Sequence, residues 1–267
     1  MKYFIAALIT IWIIAAVYLY INYVIFHKNF GKAGRKKQSP DNSFDGEYKR
    51  INIIAADEVI LSARLFVPEK GDGEKSVVLC HSQHSCGEKD FEKEMAVYKN
   101  QGYNILVIDQ RSYGKSDGKL STSGAIESYD TVFWCKWLDL RFGTGCPILI
   151  HGKGMGAFAA LVAGANSELP QNVTDIVADS AYESIYKLFS DSAVEKYGFL
   201  SKLIIPTVNM LCRSFAGFDM RDFDLKKFVK KIKIPVLYIN VDKKIIEKTA
   251  KAVTELPFEK FISERGI

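Results

Sequence analysis

Acidic side chains are absent from the first forty positions of this 267-residue chain, and residues 3–26 carry no charge of either sign. The second absence excludes a solvated segment. "YFIAALITIWIIAAVYLYINYVIF" has Asn22 as its one amide. As a helix it is roughly 36 Å long, enough to cross a hydrocarbon core of about 30 Å with some tilt. It is longer than the apolar region of a cleaved signal peptide, about 7–15 residues, and aromatics rather than small residues occupy its end. The expectation is a retained single-pass anchor over residues 1–27, meeting the lipid bilayer through residues 3–26. Tyr18, Tyr20 and Tyr23 would sit in the headgroup belt. Lys2 precedes the run, whereas Lys28, Lys32, Arg35, Lys36 and Lys37 follow it closely, so the positive-inside rule places the globular part in the cytoplasm. The same basic segment would lie against anionic lipid.

Away from that start there is little net charge. The formal total is +5 and the first forty residues alone are +6, so the rest sums to −1. A nucleic-acid partner is excluded on that ground, because phosphate binding needs a concentrated basic face on the folded domain. Cysteine is sparse and odd in number: Cys80, Cys86, Cys135, Cys146 and Cys212 have no framework spacing, which suits a reducing compartment. No internal repeat is present.

What is there reads as a linker and one domain. Residues 28–46 form a basic, Gly/Ser/Pro-containing linker, and residues 47–267 form the domain. Tyr48–Pro68 alternates around Asp57-Glu58 and predicts a hairpin. Short apolar runs at Ser76–Cys80, Tyr103–Asp109, Pro147–Ile150, Val173–Asp179 and Ile234–Asn240 then alternate with helical patterns at Glu88–Asn100, Ile126–Leu140, Ser184–Phe189 and Ile245–Leu256. "EKFISE" reads as a last strand, and residues 191–224 as a less regular lid. Apolar strands alternating with helices predict an α/β fold, a mostly parallel, doubly wound sheet covered on both faces.

In such sheets ligands bind beyond the carboxyl ends of the strands. Those ends carry "HSQHSCG" (81–87), "DQRSYGKSDG" (109–118), "HGKGMGA" (151–157), "DSAYES" (179–184) and "NVDKK" (240–244). In this order the segments resemble the bacterial membrane-anchored α/β-hydrolase family related to serine aminopeptidases and acyl hydrolases, over about Tyr48 to Ile262. The resemblance implies an α/β-hydrolase fold with a small lid and a Ser-Asp-His triad in that chain order.

The departures fall on the triad. The elbow aligns as Gly152-Lys153-Gly154-Met155-Gly156, so the nucleophile position is Gly154. The acid position aligns with Lys244, with Asp242 matching a non-catalytic Asp of the motif. The histidines are His27, His81, His84 and His151, and none follows the elbow. The chain stops inside or just after its expected last strand, before the family's His loop and closing helix. A C-terminally truncated fold is therefore expected, with an edge that a protein partner would cover. The sequence thus predicts a non-catalytic relative that binds a ligand or partner; an active ester, amide or thioester hydrolase with a non-standard nucleophile is the alternative.

Two further patterns are set aside. Gly114-Lys115-Ser116-Asp117-Gly118 matches Gly-x-Ser-x-Gly in text, but a polar loop follows it where an elbow needs a helix. Cys80, His81, His84 and Cys86 include good zinc-ligand types, yet Cys80 ends a buried strand and one crowded loop makes a poor four-ligand cage. No metal or cofactor is expected. Binding capacity would rest on oxyanion-hole-like backbone amides of Gln83 and Met155. With His81, Ser82, His84, His151, Lys153 and Tyr182 as pocket candidates, the site would hold a small acyl or anionic ligand.

Overall fold

Strand and helix alternate as the apolar pattern requires. The computed structural model describes residues 1–31, 46–69, 71–83, 85, 87–249, 251–253 and 257–264, so most of the expected linker, His84 and Cys86 lie outside the described residues. Lys49–Ile54 (β1) and Ile60–Phe66 (β2) form the antiparallel hairpin, with Glu58 at φ 64° in its turn. Lys75–Cys80 (β3), Tyr103–Asp109 (β4), Ile148–Lys153 (β5), Val173–Asp179 (β6), Val236–Ile239 (β7) and Ala252–Val253 (β8) run parallel to one another. The order is β1-β2-β4-β3-β5-β6-β7-β8, with β2 antiparallel to β4. Strands β3 to β5 are buried along nearly their whole length, which is why they read as continuous apolar runs rather than alternating ones.

Nine α-helices are described: Lys2–Phe30 (α1), Glu88–Asn100 (α2), Glu127–Phe142 (α3), Met155–Gly164 (α4), Ile185–Tyr197 (α5), Ser201–Leu211 (α6), Leu225–Phe228 (α7), Lys243–Ile246 (α8) and Phe258–Glu264 (α9). Side chains of α2 and α9 cover one face of the sheet; α3, α4, α5, α6 and the end of α1 cover the other. From β3 the chain passes to β4 on one side, and β5 then lies on the other side of β3. That reversal makes the carboxyl ends of β3 and β5 the switch point at which open α/β sheets bind ligands.

Several segments differ from the sequence reading. The 191–224 stretch is largely helical: α5 runs on to Tyr197, α6 follows, and a π-helical turn spans Cys212–Ala216. The helix expected over Ile245–Leu256 is one turn, α8, because the open edge of β7 captures the following residues as β8. "EKFISE" is helical, not a strand. Phe258, Phe261 and Ile262 lie at helical spacing, and Phe261 and Ile262 are buried on the sheet face that α2 also covers.

Helix α1 is long and apolar enough to cross a membrane, a property that a signal sequence shares. Its last turns pack against the domain. Asn22, Ile25, Phe26 and Phe30 are buried, and Phe30 packs against Phe189 and Phe218 at ring separations of 6.0 Å. The Tyr18 hydroxyl donates to the Leu203 carbonyl at 2.9 Å and meets the Thr207 hydroxyl at 2.6 Å, so Tyr18 reaches α6 rather than standing free in a belt.

Candidate functional site

The bend from β5 into α4 is a sharp one, and glycines make it for different reasons. A Cβ on Gly156 would lie 1.9 Å from the Cys80 carbonyl oxygen, and one on Gly152 would lie 2.2 Å from the Gly156 carbonyl oxygen. Those two positions have no room for a side chain. Gly154, the apex, has room: its nearest neighbour would be Ser82 Cβ at 3.2 Å. Its φ of 54° and ψ of −112° are what suit glycine there. The bend is pinned by Gly154 N–H donating to the Asp179 carbonyl at 2.8 Å and by Phe158 N–H donating to the Gly154 carbonyl at 3.0 Å.

The loop beyond β3 forms the opposite wall. Asp90, in the first turn of α2, accepts from the Ser82 amide and the Ser82 hydroxyl, both at 2.7 Å, and from the Ser85 hydroxyl. The Lys153 ammonium donates to the Asp90 carbonyl and to Glu94 Oε1, each at 2.6 Å, and sits 5.1 Å from the Phe91 ring centroid. Lys153 therefore fastens α2 to the end of β5 instead of presenting a free cation. Met155 opens α4, so its amide is among the first-turn N–H groups that have no partner inside the helix. The Gln83 side chain reaches toward the Asn29 carbonyl at 3.5 Å, which joins this wall to α1.

The described histidines of the domain are committed elsewhere. His81 Nδ1 bonds the Ser82 carbonyl at 2.8 Å, and Nε2 accepts the Gln110 amide at 3.1 Å, which fixes the neutral tautomer. Burial holds its pKa below the usual imidazole value. His151 belongs to the core and not to the pocket. It shares the α2/α9 face of β5 with Leu149 and lies among Phe91, Tyr98 and Phe258. Its Nδ1 meets the Tyr98 hydroxyl at 2.9 Å, its Nε2 is buried without a partner, and burial holds its pKa well below 6.5. A hydroxyl does touch this imidazole, then, but among the described residues no carboxylate hydrogen-bonds to the ring.

Other sequence candidates resolve as follows. Tyr182 donates to the Ser123 carbonyl and stacks on Phe158 at 4.6 Å, making it a wall. Lys244 is exposed in α8, and Asp242 caps that helix by accepting the Lys244 amide at 2.8 Å. Ser116 is buried, accepts from the Ser62 amide at 2.8 Å and donates to the Asp109 carbonyl, a structural role. Cys80 is fully buried with its thiol pushed up to about 12 by burial. Among the described residues no group of His, Cys, Asp and Glu is arranged to hold a metal.

Sequence reasoning missed the supports. Arg111 makes paired 2.7 Å bonds to Asp130 on α3 and a 2.8 Å bond to Asp57 in the hairpin turn. Glu127 accepts from the amides of Thr122 and Gly124 at 2.7 and 3.0 Å. Asp109-x-Arg111 was visible as a motif; its partners lie 19 and 54 positions away and were not.

An antiparallel hairpin leading into parallel strands, a β3/β5 switch point, and a glycine bend joining β5 to α4 at positive φ now stand together. No family model matches the chain. The solved structure of the Pyrococcus furiosus esterase Pf2001 superposes with a TM-score of 0.60 at 22% identity, covering 85% of this chain and 88% of that one. This is the α/β-hydrolase fold. Among curated proteins, the α/β-hydrolase-fold chain is 22% identical over 240 residues to protein bem46 of Schizosaccharomyces pombe, covering 88% of this chain and 73% of that protein. It is 24% identical over 169 residues to the uncharacterised protein YqkD of Bacillus subtilis, a match spanning 63% of this chain and 55% of YqkD.

Proposed function

We propose that this α/β-hydrolase-fold protein is a membrane-anchored, non-catalytic relative of serine hydrolases that holds an acyl or anionic ligand rather than turning one over. The observation that carries the reading is the apex of the bend: Gly154 stands at φ 54° with no side chain, while neighbouring polar groups are engaged with one another. Acyl transfer needs a hydroxyl or thiol within hydrogen-bonding reach of a base oriented by a third group. His81 is bound to backbone on both nitrogens, and His151 lies on the far face of β5. What the bend retains is backbone. The Met155 amide, with that of Gln83, supports binding of an oxyanion or carbonyl oxygen. The name of the Pyrococcus neighbour, an esterase, suggests ester or acyl chemistry as the ligand class.

Retention of α1 is supported by its last turns, since Phe26 and Phe30 are core residues and processing that removed them would open the domain. The basic residues following α1 favour a cytoplasmic domain.

One group favours the alternative of an active hydrolase. Ser82 is the side chain facing the apex, and its hydroxyl donates to Asp90 at 2.7 Å. A carboxylate is a weak base toward a serine hydroxyl, so this pair supports positioning more than attack. A fluorophosphonate probe and short p-nitrophenyl esters test the choice on the full chain. The expected outcome is neither labelling nor turnover. Labelling that disappears in Ser82→Ala would instead establish Ser82 as a nucleophile.

A further inference from the structure

Helices α1 and α6 lie side by side and point the same way: Tyr18 meets Leu203 and Thr207, Tyr23 meets Phe215, and Phe30 meets Phe218. The start of α6 is thus level with Tyr18, eight residues before the end of the uncharged run at Phe26 and so about 12 Å back along α1. Counting only the part of α1 that has no buried residue, residues 2–21, gives about 30 Å, and Tyr18 still falls inside it. The turn before α6, Gly198–Leu200, extends further in that direction. Its Phe199 is 82% exposed, and Leu200 and Leu203 are exposed beside it.

Resting on the anchor reading above, we infer that the tip of the α5–α6 lid, through Phe199, Leu200 and Leu203, inserts into the bilayer leaflet from which α1 emerges. The occupant of this apolar surface is lipid and not a second protein because it is continuous with the free, wholly exposed face of α1. Lys196 and Lys202 flank the tip, and positions 196–207 contain no acid, as contact with phosphate headgroups requires; Glu195 lies just outside. Lysine stems of that length carry their charge to the headgroup level while the turn lies deeper. The lid would then be held in place by membrane and α1 together.

Tryptophan quenching by brominated acyl chains reads this directly on the full chain reconstituted into phosphatidylcholine/phosphatidylglycerol vesicles. Trp134 and Trp137, both in α3, emit in every variant as a common background; above it Trp12, in α1, reports the anchor, Phe199→Trp in a Trp12→Phe background reports the tip, and Leu140→Trp in the same background is the control. Leu140 is 85% exposed at the far end of α3, where Arg141 bonds Asp72 just before β3, at the opposite end of the sheet. All three substituted residues are exposed, so the fold is not put at risk. The expected result is comparable loss of intensity for Trp12 and Phe199→Trp, with none for Leu140→Trp. Quenching of Trp12 without Phe199→Trp overturns the inference and leaves the anchor standing, as it would if a second copy sealed the lid. Equal quenching of Leu140→Trp also overturns it, because the tip would no longer be distinguished. An unquenched Trp12 removes the anchor and the inference with it.

Discussion

Gly154 and Gly156 are two positions apart and are held by different physics. At Gly156 the constraint is contact, with the Cys80 carbonyl 1.9 Å from any Cβ; at Gly154 it is backbone conformation, with Ser82 Cβ no closer than 3.2 Å. The expected outcomes therefore diverge. Gly154→Ser costs about 1–3 kcal/mol of backbone strain and remains folded, whereas Gly156→Ala forces the helix off the sheet and abolishes the cooperative transition. Chemical unfolding of the full chain in detergent separates the two. On the non-catalytic reading, Gly154→Ser remains unlabelled by a fluorophosphonate, since neither His81 nor His151 reaches the new hydroxyl. His151 offers a test by pH. Its folded pKa is depressed below 6.5 by burial, so the unfolded chain binds more protons below that pH and stability falls as pH falls through this range. His81 acts with the same sign. His151→Gln, which preserves an acceptor for Tyr98, should flatten the slope of unfolding free energy between about pH 6.5 and 5, by up to about 1.4 kcal/mol per pH unit.

At the scale of elements, the end of α1 is the least expected feature. Composition marked residues 3–26 as apolar throughout and could not say which residues of this helix pack against the domain. The packing answers that: Phe26 is 0% and Phe30 2% exposed, inside the same core as Phe189 and Phe218. Phe30→Ala should then destabilise the domain by about 3–5 kcal/mol, measured as a lowered thermal midpoint, whereas Trp12→Phe should leave it unchanged. Other elements were legible to differing degrees. The ends of α2 and β4 are those the pattern predicts, because their apolar spacing is local. Helix α9 was misread as a strand because seven residues are too few for a period to decide by themselves, and packing beside Tyr98 selects the helical one.

Over the whole molecule, the sequence by itself determined the α/β alternation, the hairpin lead-in, the glycine bend after β5 and the uncharged N-terminal helix. Each is written in neighbouring residues, where periodicity and turn chemistry act over a few positions. The tertiary structure alone decided which side chains share the site. Whether His151 lines a pocket or a core depends on which face of β5 it takes, and whether Lys153 is free depends on where α2 places Glu94, 59 positions away. It also decided that α1 packs along α6, since parallel packing of helices some 185 residues apart leaves no trace in either stretch. Strand and helix identity are local properties of the chain, but burial, ion pairing and the aim of a side chain are fixed only when distant segments exclude water from one another.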